Sequence, residues 1–260
     1  MADNFTAISG IDRQNQILAL LQRQQRISVQ ALCDQFGISE ATARRDLDTL
    51  AARGKIERVH GGAILVTQAP PELPILERQS EQAGAKQLIG RAAAALVEDN
   101  ETVFLGSGTT VLEVAQALRD RRGLTVITNS LPVINLLAHA PHLTLVSLGG
   151  MLRPSELSFI GHITELALAE VRADKVIIGV HAISLEQGLT NDYLPETMTD
   201  RAILRVGREL IVVVDHTKCG RISPALLVPI EQMHTLVTDR LAPQPFVEAL
   251  RGRGVRVIQA

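Results

Sequence analysis

The stretch VFLGSGTT, residues 103–110, leads from an apolar run into a loop of two glycines and three hydroxyl residues, Gly106, Ser107, Gly108, Thr109 and Thr110, and then into the helix-like TVLEVAQALRD. Small residues admit a ligand close to the backbone, hydroxyls can donate, and the first amides of a helix have no partner inside it. The combination suits an oxyanion. The same residues also make a plain strand-to-helix turn, and two better-specified phosphate motifs do not fit. Val111 stands where a dinucleotide fingerprint needs its third glycine, and no lysine follows as in a P-loop. Other polar groups follow other apolar runs: Thr128, Asn129 and Ser130 after LTVIT, Gly149 and Gly150 after LTLVSL, His181 after KVIIGV, and Asp215 and Asp239 further on. Arg153 offers a bidentate clamp for phosphate and Lys218 a second cation. Each also reads as a surface or ion-paired residue, Lys218 with Asp215 three positions before it.

The elements that must position these groups are legible in the apolar pattern. From Lys86 onward TVFL, LTVIT, LTLVSL, KVIIGV, LIVVVD, LVTD and VRVI alternate with helix-like segments. Continuous apolar strands separated by helices predict a parallel sheet covered on both faces, an α/β fold, with ligands beside the carboxyl ends of its strands. Ahead of it, TQAPPELPILERQ contains Pro70, Pro71 and Pro74, which disfavour helix and stiffen an extended connection. The expected division is therefore a small domain over residues 11–66, a linker over 67–85 and a large domain over 86–260.

In the small domain, Ile17, Leu18, Leu20 and Leu21 fit a first helix. Ser28 caps a second, in which Val29, Leu32, Cys33 and Phe36 fall at helical spacing, and Gly37 ends it. Ser39 caps a third, EATARRDLDTLAAR, running to Gly54; Ala43, Leu47, Leu50 and Ala51 form its core stripe and Ala41, Thr42, Arg45 and Thr49 point away. Arg44 lies on the flank, within reach of a phosphate or of Glu40 and Asp48. KIERVHGGAILV then reads as two strands, residues 56–60 and 63–66, joined by Gly61 and Gly62, which makes a winged helix-turn-helix. Such a unit places Thr42 and Arg45 in a major groove and Arg44, Arg58 and His60 near backbone or minor groove. Arginines interleaved with Asp46 and Asp48 are also consistent with a solvated, salt-bridged helix face, and His60 with an ordinary turn residue.

Composition bounds these readings. In 260 residues, 46% are hydrophobic and 21% charged, enough to bury a core, and the formal net charge of −2 excludes a protein that coats nucleic acid by positive charge alone. With aromatics at 2% and no Trp, a base-stacking platform for single strands is excluded too. No apolar run reaches membrane-helix length, and MADNFTAISG lacks a secretory pattern, so a cytoplasmic protein without membrane contact is expected. Cys33 and Cys219 form no metal-ligand spacing, and neither a metal nor another cofactor is expected.

The segment from Arg13 to Ala63, with ARRDLDTL followed by RVHGGA, resembles the amino-terminal domain of the DeoR family of bacterial transcriptional regulators. Residues 86–257 resemble that family's sugar-phosphate-sensing domain, with GSGTT, TNS, GGMLR, ADKVIIGV, GLTN and VDHTKCG in the family's order. The resemblance implies a fold shared with ribose-5-phosphate isomerase and glucosamine-6-phosphate deaminase. It implies a DNA-reading role for Ser39, Thr42, Arg44 and Arg45, and effector contacts at residues 107–110, Thr128, Asn129, Ser130, Arg153 and Lys218. The chain departs from the family in four places. Ala43 replaces Ile; Gly106 stands where an Asp usually precedes SGTT; ETMTDR keeps Glu196 and Arg201 but has Asp200 for the usual Lys; and Cys219 replaces Phe. His181, Asp192 and Tyr193 are candidates for a different ligand preference.

The expected function is a repressor of a sugar-catabolic operon, a homodimer or homotetramer on double-stranded operator DNA, modulated by a phosphorylated sugar. The competing enzyme reading is a sugar-phosphate isomerase or deaminase with a DNA-binding appendage, for which Asp215, Glu196 or His181 would have to supply acid and base. The isomerase's acidic DGADE run and lysine-glycine loop are both missing. A protein scaffold using its helix-turn-helix for protein contacts is the third reading.

Overall fold

The computed structural model describes residues 9–24, 26–52, 56–65 and 69–260. Their contacts divide the chain into one unit up to residue 68 and a second over Ala69–Ala260.

The first unit comprises α1 (Gly10–Gln24), β1 (Arg26–Ser28), α2 (Val29–Phe36), α3 (Glu40–Ala52), β2 (Ile56–Val59) and β3 (Gly62–Leu65). The Ser28 hydroxyl accepts the Ala31 amide at 3.1 Å and so caps α2, and Gly37, at φ 61°, turns the chain out of the helix in a left-handed conformation. Ile17, Leu21, Leu32, Ala43, Leu47 and Leu50 are buried together, with Ile27, Ile56 and Ala63 from the strands. At its buried position, Asp46 accepts from Arg13 at 2.6 Å and Gln14 at 3.1 Å, which ties α1 to α3. The strands form an antiparallel sheet in the order β1-β3-β2. β1 is too short to show in the sequence pattern, yet it shifts the wing. The turn is His60-Gly61 rather than Gly61-Gly62, because Gly62 already pairs with Val59 and lies against β1. A Cβ at Gly62 would meet the Ile27 carbonyl at 2.1 Å, so backbone approach demands glycine there, while Gly61 (φ 77°) takes the turn conformation. Two sequence expectations, the helix end at Gly54 and the strand end at Val66, lie outside the described residues.

The second unit begins with an extended segment to Pro74, then α4 (Ile75–Arg78), α5 (Ala83–Ala94), β4 (Thr102–Leu105), α6 (Thr109–Leu118), β5 (Thr125–Thr128), α7 (Leu131–Leu137) and β6 (Thr144–Ser147). A hairpin of β7 (Met151–Arg153) and β8 (Ser158–Ile160), then α8 (His162–Ala169), lead to β9 (Ala173–Ile178). There follow β10 (Ala182–Ser184), β11 (Gly188–Asn191), α9 (Thr197–Leu204), β12 (Gly207–Val213), β13 (Ala225–Val228), β14 (Thr235–Thr238), α10 (Gln244–Gly252) and β15 (Arg256–Gln259).

Seven strands make a wholly parallel sheet in the order β15-β14-β12-β9-β4-β5-β6. These are the seven apolar runs of the sequence, and the α/β reading holds. Alternate side chains enter two cores: Phe104, Val176 and Val212 pack with Leu168, Ile203 and Phe246, while Val103, Leu105, Ile177 and Val213 pack with Ile89, Val111, Leu118 and Val133. The chain starts in the middle at β4, winds outward through β5 and β6, and returns to β9 on the other side of β4 before winding outward again. That reversal opens a crevice at the carboxyl ends of β4 and β9. Two small antiparallel pieces, β7-β8 and β10-β11-β13, are not visible in the sequence because three- and four-residue strands carry too little periodicity.

From Ala69 on, the proline-rich stretch expected as linker is held to the second unit. The Ala69 amide donates to the Ile222 carbonyl at 3.0 Å and the Ile75 amide to the Ser155 carbonyl at 2.8 Å.

Candidate functional site

A cavity of about 600 Å³ occupies the crevice. Its floor is the loop after β4, whose Gly106 amide extends the sheet by donating to Ile177 at 3.0 Å. A Cβ at Gly106 would sit 3.0 Å from Ile178 Cγ2, so a larger residue there requires that methyl to give by a few tenths of an ångström. Gly108 (φ 111°) then turns the chain so that α6 begins at Thr109. Among the described residues, the amides of 107–110 and the hydroxyls of Ser107, Thr109 and Thr110 meet no partner, although Thr109 and Thr110 are buried and all four residues line the cavity. Donors left open onto a cavity can take up a ligand, and amides at a helix start answer an anion best.

Around this floor stand charged side chains that mostly satisfy one another. Arg153 is bonded to Glu196 and lies 3.6 Å from Asp192; its Nε donates to Ser155 at 3.1 Å and its guanidinium covers the Tyr193 ring at 4.3 Å. Burial opposes its charge, but Glu196, Glu156 and Asp192 outweigh that and raise its pKa. Arg78 is bonded to Glu156 and to Glu72 at 2.6 Å, and Glu72 also meets Lys218 at 3.4 Å. Lys86 donates to the Arg78 carbonyl at 2.7 Å, and burial pulls its ammonium below the usual range against the attraction of Asp215. Burial, with Glu72 nearby, pushes the Glu156 carboxyl up to about 7. Desolvation and then Glu196 push Asp200 well above the ordinary carboxylate range, against the Asn191 amide that donates to it at 2.7 Å. His181 Nδ1 pairs with Ser223 Oγ at 2.8 Å, and burial lowers the pKa of its ring. Glu72, His181 and Asp192 converge to within 4.8 Å and have the ligand types of a cation site. Arg78, Lys218 and Arg153 already answer those two carboxylates, so the charge there is balanced by the chain itself.

Of the residues singled out in the sequence, 106–110, Arg153, His181, Glu196 and Lys218 line one cavity. Arg153 is committed to Glu196, and Lys218 pairs with Glu72 rather than Asp215. Thr128, Asn129, Ser130, Gly149 and Gly150 do not line it. Asn129 Nδ2 donates to the Phe159 carbonyl at 3.0 Å, Thr128 Oγ1 accepts the Ser130 amide at 3.0 Å, and the Gly149 carbonyl accepts from Thr164 at 2.8 Å, so they fasten the β7-β8 hairpin and α8 to the sheet. Asn129 Oδ1 and Ser130 Oγ remain buried without a partner. Glu72, Arg78, Glu156 and Arg221 escape sequence reasoning. Only the fold brings Glu72 and Arg78 back over strand ends far along the chain, and Arg221, unpaired among the described residues, carries no motif of its own. Cys219 is buried, and its thiol is pushed up to about 12, so it is unreactive.

In the first unit the outer face of α3 is set by the buried Ala43, Leu47 and Leu50 on its inner side. Arg45 is exposed with no partner among the described residues, Thr42 is beside it, and Ser39 Oγ accepts the Thr42 amide at 3.3 Å at the head of the helix. Arg44 pairs with Glu40 at 3.1 Å, both exposed. Arg58 meets Asp48 at 3.1 Å and the Gly62 carbonyl at 3.0 Å, which braces the wing against α3, and His60 is exposed on the turn.

Comparison with known proteins bears on both units. The DeoR-like helix-turn-helix domain matches residues 13–69 and the DeoR C terminal sensor domain matches residues 81–240. The chain is 36% identical over 229 residues to the transcriptional repressor AccR of Agrobacterium fabrum, covering 88% of this chain and 89% of that protein. It is 32% identical over 249 residues to a putative aga operon transcriptional repressor of Escherichia coli O157:H7, covering 95% and 93%. Among solved structures, ribose 5-phosphate isomerase A of Methanocaldococcus jannaschii is similar at a TM-score of 0.41 and 18% identity, over 54% of this chain and 55% of that one. No described helix is long and apolar enough to cross a membrane.

Proposed function

The chain belongs to the DeoR family of transcriptional regulators, and on that footing we propose that it represses a sugar-catabolic operon by binding operator DNA, with a phosphorylated sugar in the crevice setting its affinity. The observation that carries the effector half is the run of unanswered amides and hydroxyls at residues 107–110, held at the sheet's reversal point in a cavity of about 600 Å³. A sugar phosphate fits it: the phosphate takes the open donors, and the hydroxyls meet Asp200, Asn191 and Glu156. The DNA half rests on α3, whose unpaired Arg45 and neighbouring Thr42 face outward as base-reading groups, with Ser39, Arg44, Arg58 and His60 placed for phosphates. The names of the relatives, both repressors, support the same direction. Reading repeated half-sites calls for a homodimer or homotetramer, and a regulator of this kind works in the cytoplasm.

Coupling requires that the effector bind the DNA-competent and DNA-incompetent states with different affinity. Retardation of the protein's own upstream region, with and without a panel of sugar phosphates, tests this. One member should release or strengthen the complex, and equal retardation with all of them would remove the effector from the account. Arg45→Ala should weaken binding to that duplex by ~1–3 kcal/mol, the worth of a bidentate base contact.

The side chains that an isomerase would need support sensing over turnover. Asp215 caps the turn 216–218 by accepting the Thr217 amide at 2.9 Å, Glu196 is held by Arg153 and Ser158, and His181 is held by Ser223. Each candidate base is therefore already tied into structure.

A further inference from the structure

One of the two cations that the sequence offers to an effector, Lys218, is already answered by a carboxylate from the far end of the second unit. Glu72 belongs to the extended segment 69–74 that lines the cavity with Pro70, Pro71 and Leu73. We propose that this segment is a strap whose Glu72 carboxylate stands in for the ligand's anion at Lys218, so that a phosphate entering the crevice displaces it and releases the strap. This rests on the reading of the crevice as an anion site and adds how occupancy leaves it.

Three features of the strap support displacement. Few of its own amides hold it: Pro70, Pro71 and Pro74 have no amide hydrogen to give, and the donors that remain are Ala69 to Ile222 (3.0 Å) and Glu72 to the Asp192 carboxylate (3.3 Å), while its carbonyls accept from outside at Pro70 (His181), Leu73 (Arg78, 2.7 Å) and Pro74 (Glu77, 2.9 Å, and Arg78, 3.2 Å). Its hold on Lys218 is the weak end of an unequal fork, 3.4 Å against 2.6 Å to Arg78, and Arg78 keeps Glu156 when Glu72 leaves. A phosphate near neutral pH carries more charge than one carboxylate and can also use the open amides of 107–110, which Glu72 leaves unanswered. The prolines keep the strap stiff, so loss of the Glu72 anchor is passed along it rather than absorbed. Because the strap is the first segment of the second unit, its release frees the chain from Ala69 onward from the body of that unit.

Hydrogen exchange on the intact protein, with and without millimolar inorganic phosphate, tests this without any substitution. The Ala69 and Glu72 amides should exchange about tenfold faster with phosphate present, as a local opening allows. In Glu72→Gln, phosphate should bind about tenfold more tightly by calorimetry, and both amides should exchange fast from the start. If phosphate binds the unsubstituted protein while the two amides stay protected, and Glu72→Gln gains no affinity, the strap is overturned and the anion site stands. If neither protein binds phosphate, the anion site falls and the strap with it. Should Glu72→Gln fail to fold, the exchange measurement on the unsubstituted protein decides alone.

Discussion

The two units use arginine in opposite ways. On α3, Arg45 stands in solvent with no partner among the described residues, whereas in the crevice Arg153 is enclosed by Glu196, Asp192, Ser155 and Tyr193. The contrast follows from the targets each unit is proposed to meet. Duplex DNA is a large polyanion that comes to the surface, so an exposed cation keeps its hydration until contact and costs little to maintain. A small anion must enter a cavity, where a buried unpaired cation would cost far more, so Arg153, Arg78 and Lys218 are given carboxylates of the chain with which the ligand has to compete, and only the half-buried Arg221 is left open among the described residues. On that proposal, the surplus of acids around the crevice is the resting state of a site meant for an anion.

Removing each arginine and measuring stability puts this contrast under the greatest strain. Arg153→Ala should destabilise the second unit by about 3–5 kcal/mol in denaturant unfolding, because Glu196 is left buried and charged. Arg45→Ala should change stability by less than about half a kcal/mol, as surface substitutions do, while duplex binding suffers. Equal losses in both would show that the arginines are not used differently.

A smaller effect tests the internal carboxylates. Glu156 has its folded-state pKa raised from 4.5 to about 7, so the folded protein holds a proton there that the unfolded chain releases. The stability from this proton is complete below about pH 4.5 and is lost as pH rises towards 7. Glu156→Gln, permanently neutral, should remove that slope and be more stable than the parent at pH 8 by about 1–3 kcal/mol, the gap closing near pH 5. Thermal unfolding across pH reads it, and an unchanged slope would mean Arg78 keeps Glu156 ionised throughout.

The least change in stability is expected back on the open side. Arg44→Ala gives up an exposed helical pair with Glu40, so stability should fall by only about 0.3–0.5 kcal/mol. If Arg44 touches phosphate, duplex affinity should weaken evenly across sequences and the salt slope drop by about 1, unlike the sequence-dependent loss at Arg45. Binding measured against salt on two unrelated duplexes separates the two arginines.

Much of the fold is legible in the order of the amino acids. The seven apolar runs are strands because buried parallel strands must be apolar on both faces, and their polar successors therefore gather at one end. The stripe of Ala43, Leu47 and Leu50 likewise settles which side of α3 faces out. Sequence pattern puts the wing turn one residue too late, because the reason Gly62 is glycine, the approach of Ile27, comes from a strand too short to detect. The loop 128–130 reads in sequence as part of the ligand site and is instead engaged in fastening a hairpin, since a strand-end position does not say which way the side chains turn.

Periodic and local features thus follow from the residue order alone: which segments are strands or helices, where helices start, and where small residues leave amides open. Which charge answers which follows only from the folded chain. Glu72 and Lys218 are 146 residues apart, and Arg78 and Glu156 are 78 apart. No spacing rule connects such pairs, because ion pairing depends on distance in space and on burial, and both exist only once the sheet has brought its strand ends and the returning strap together.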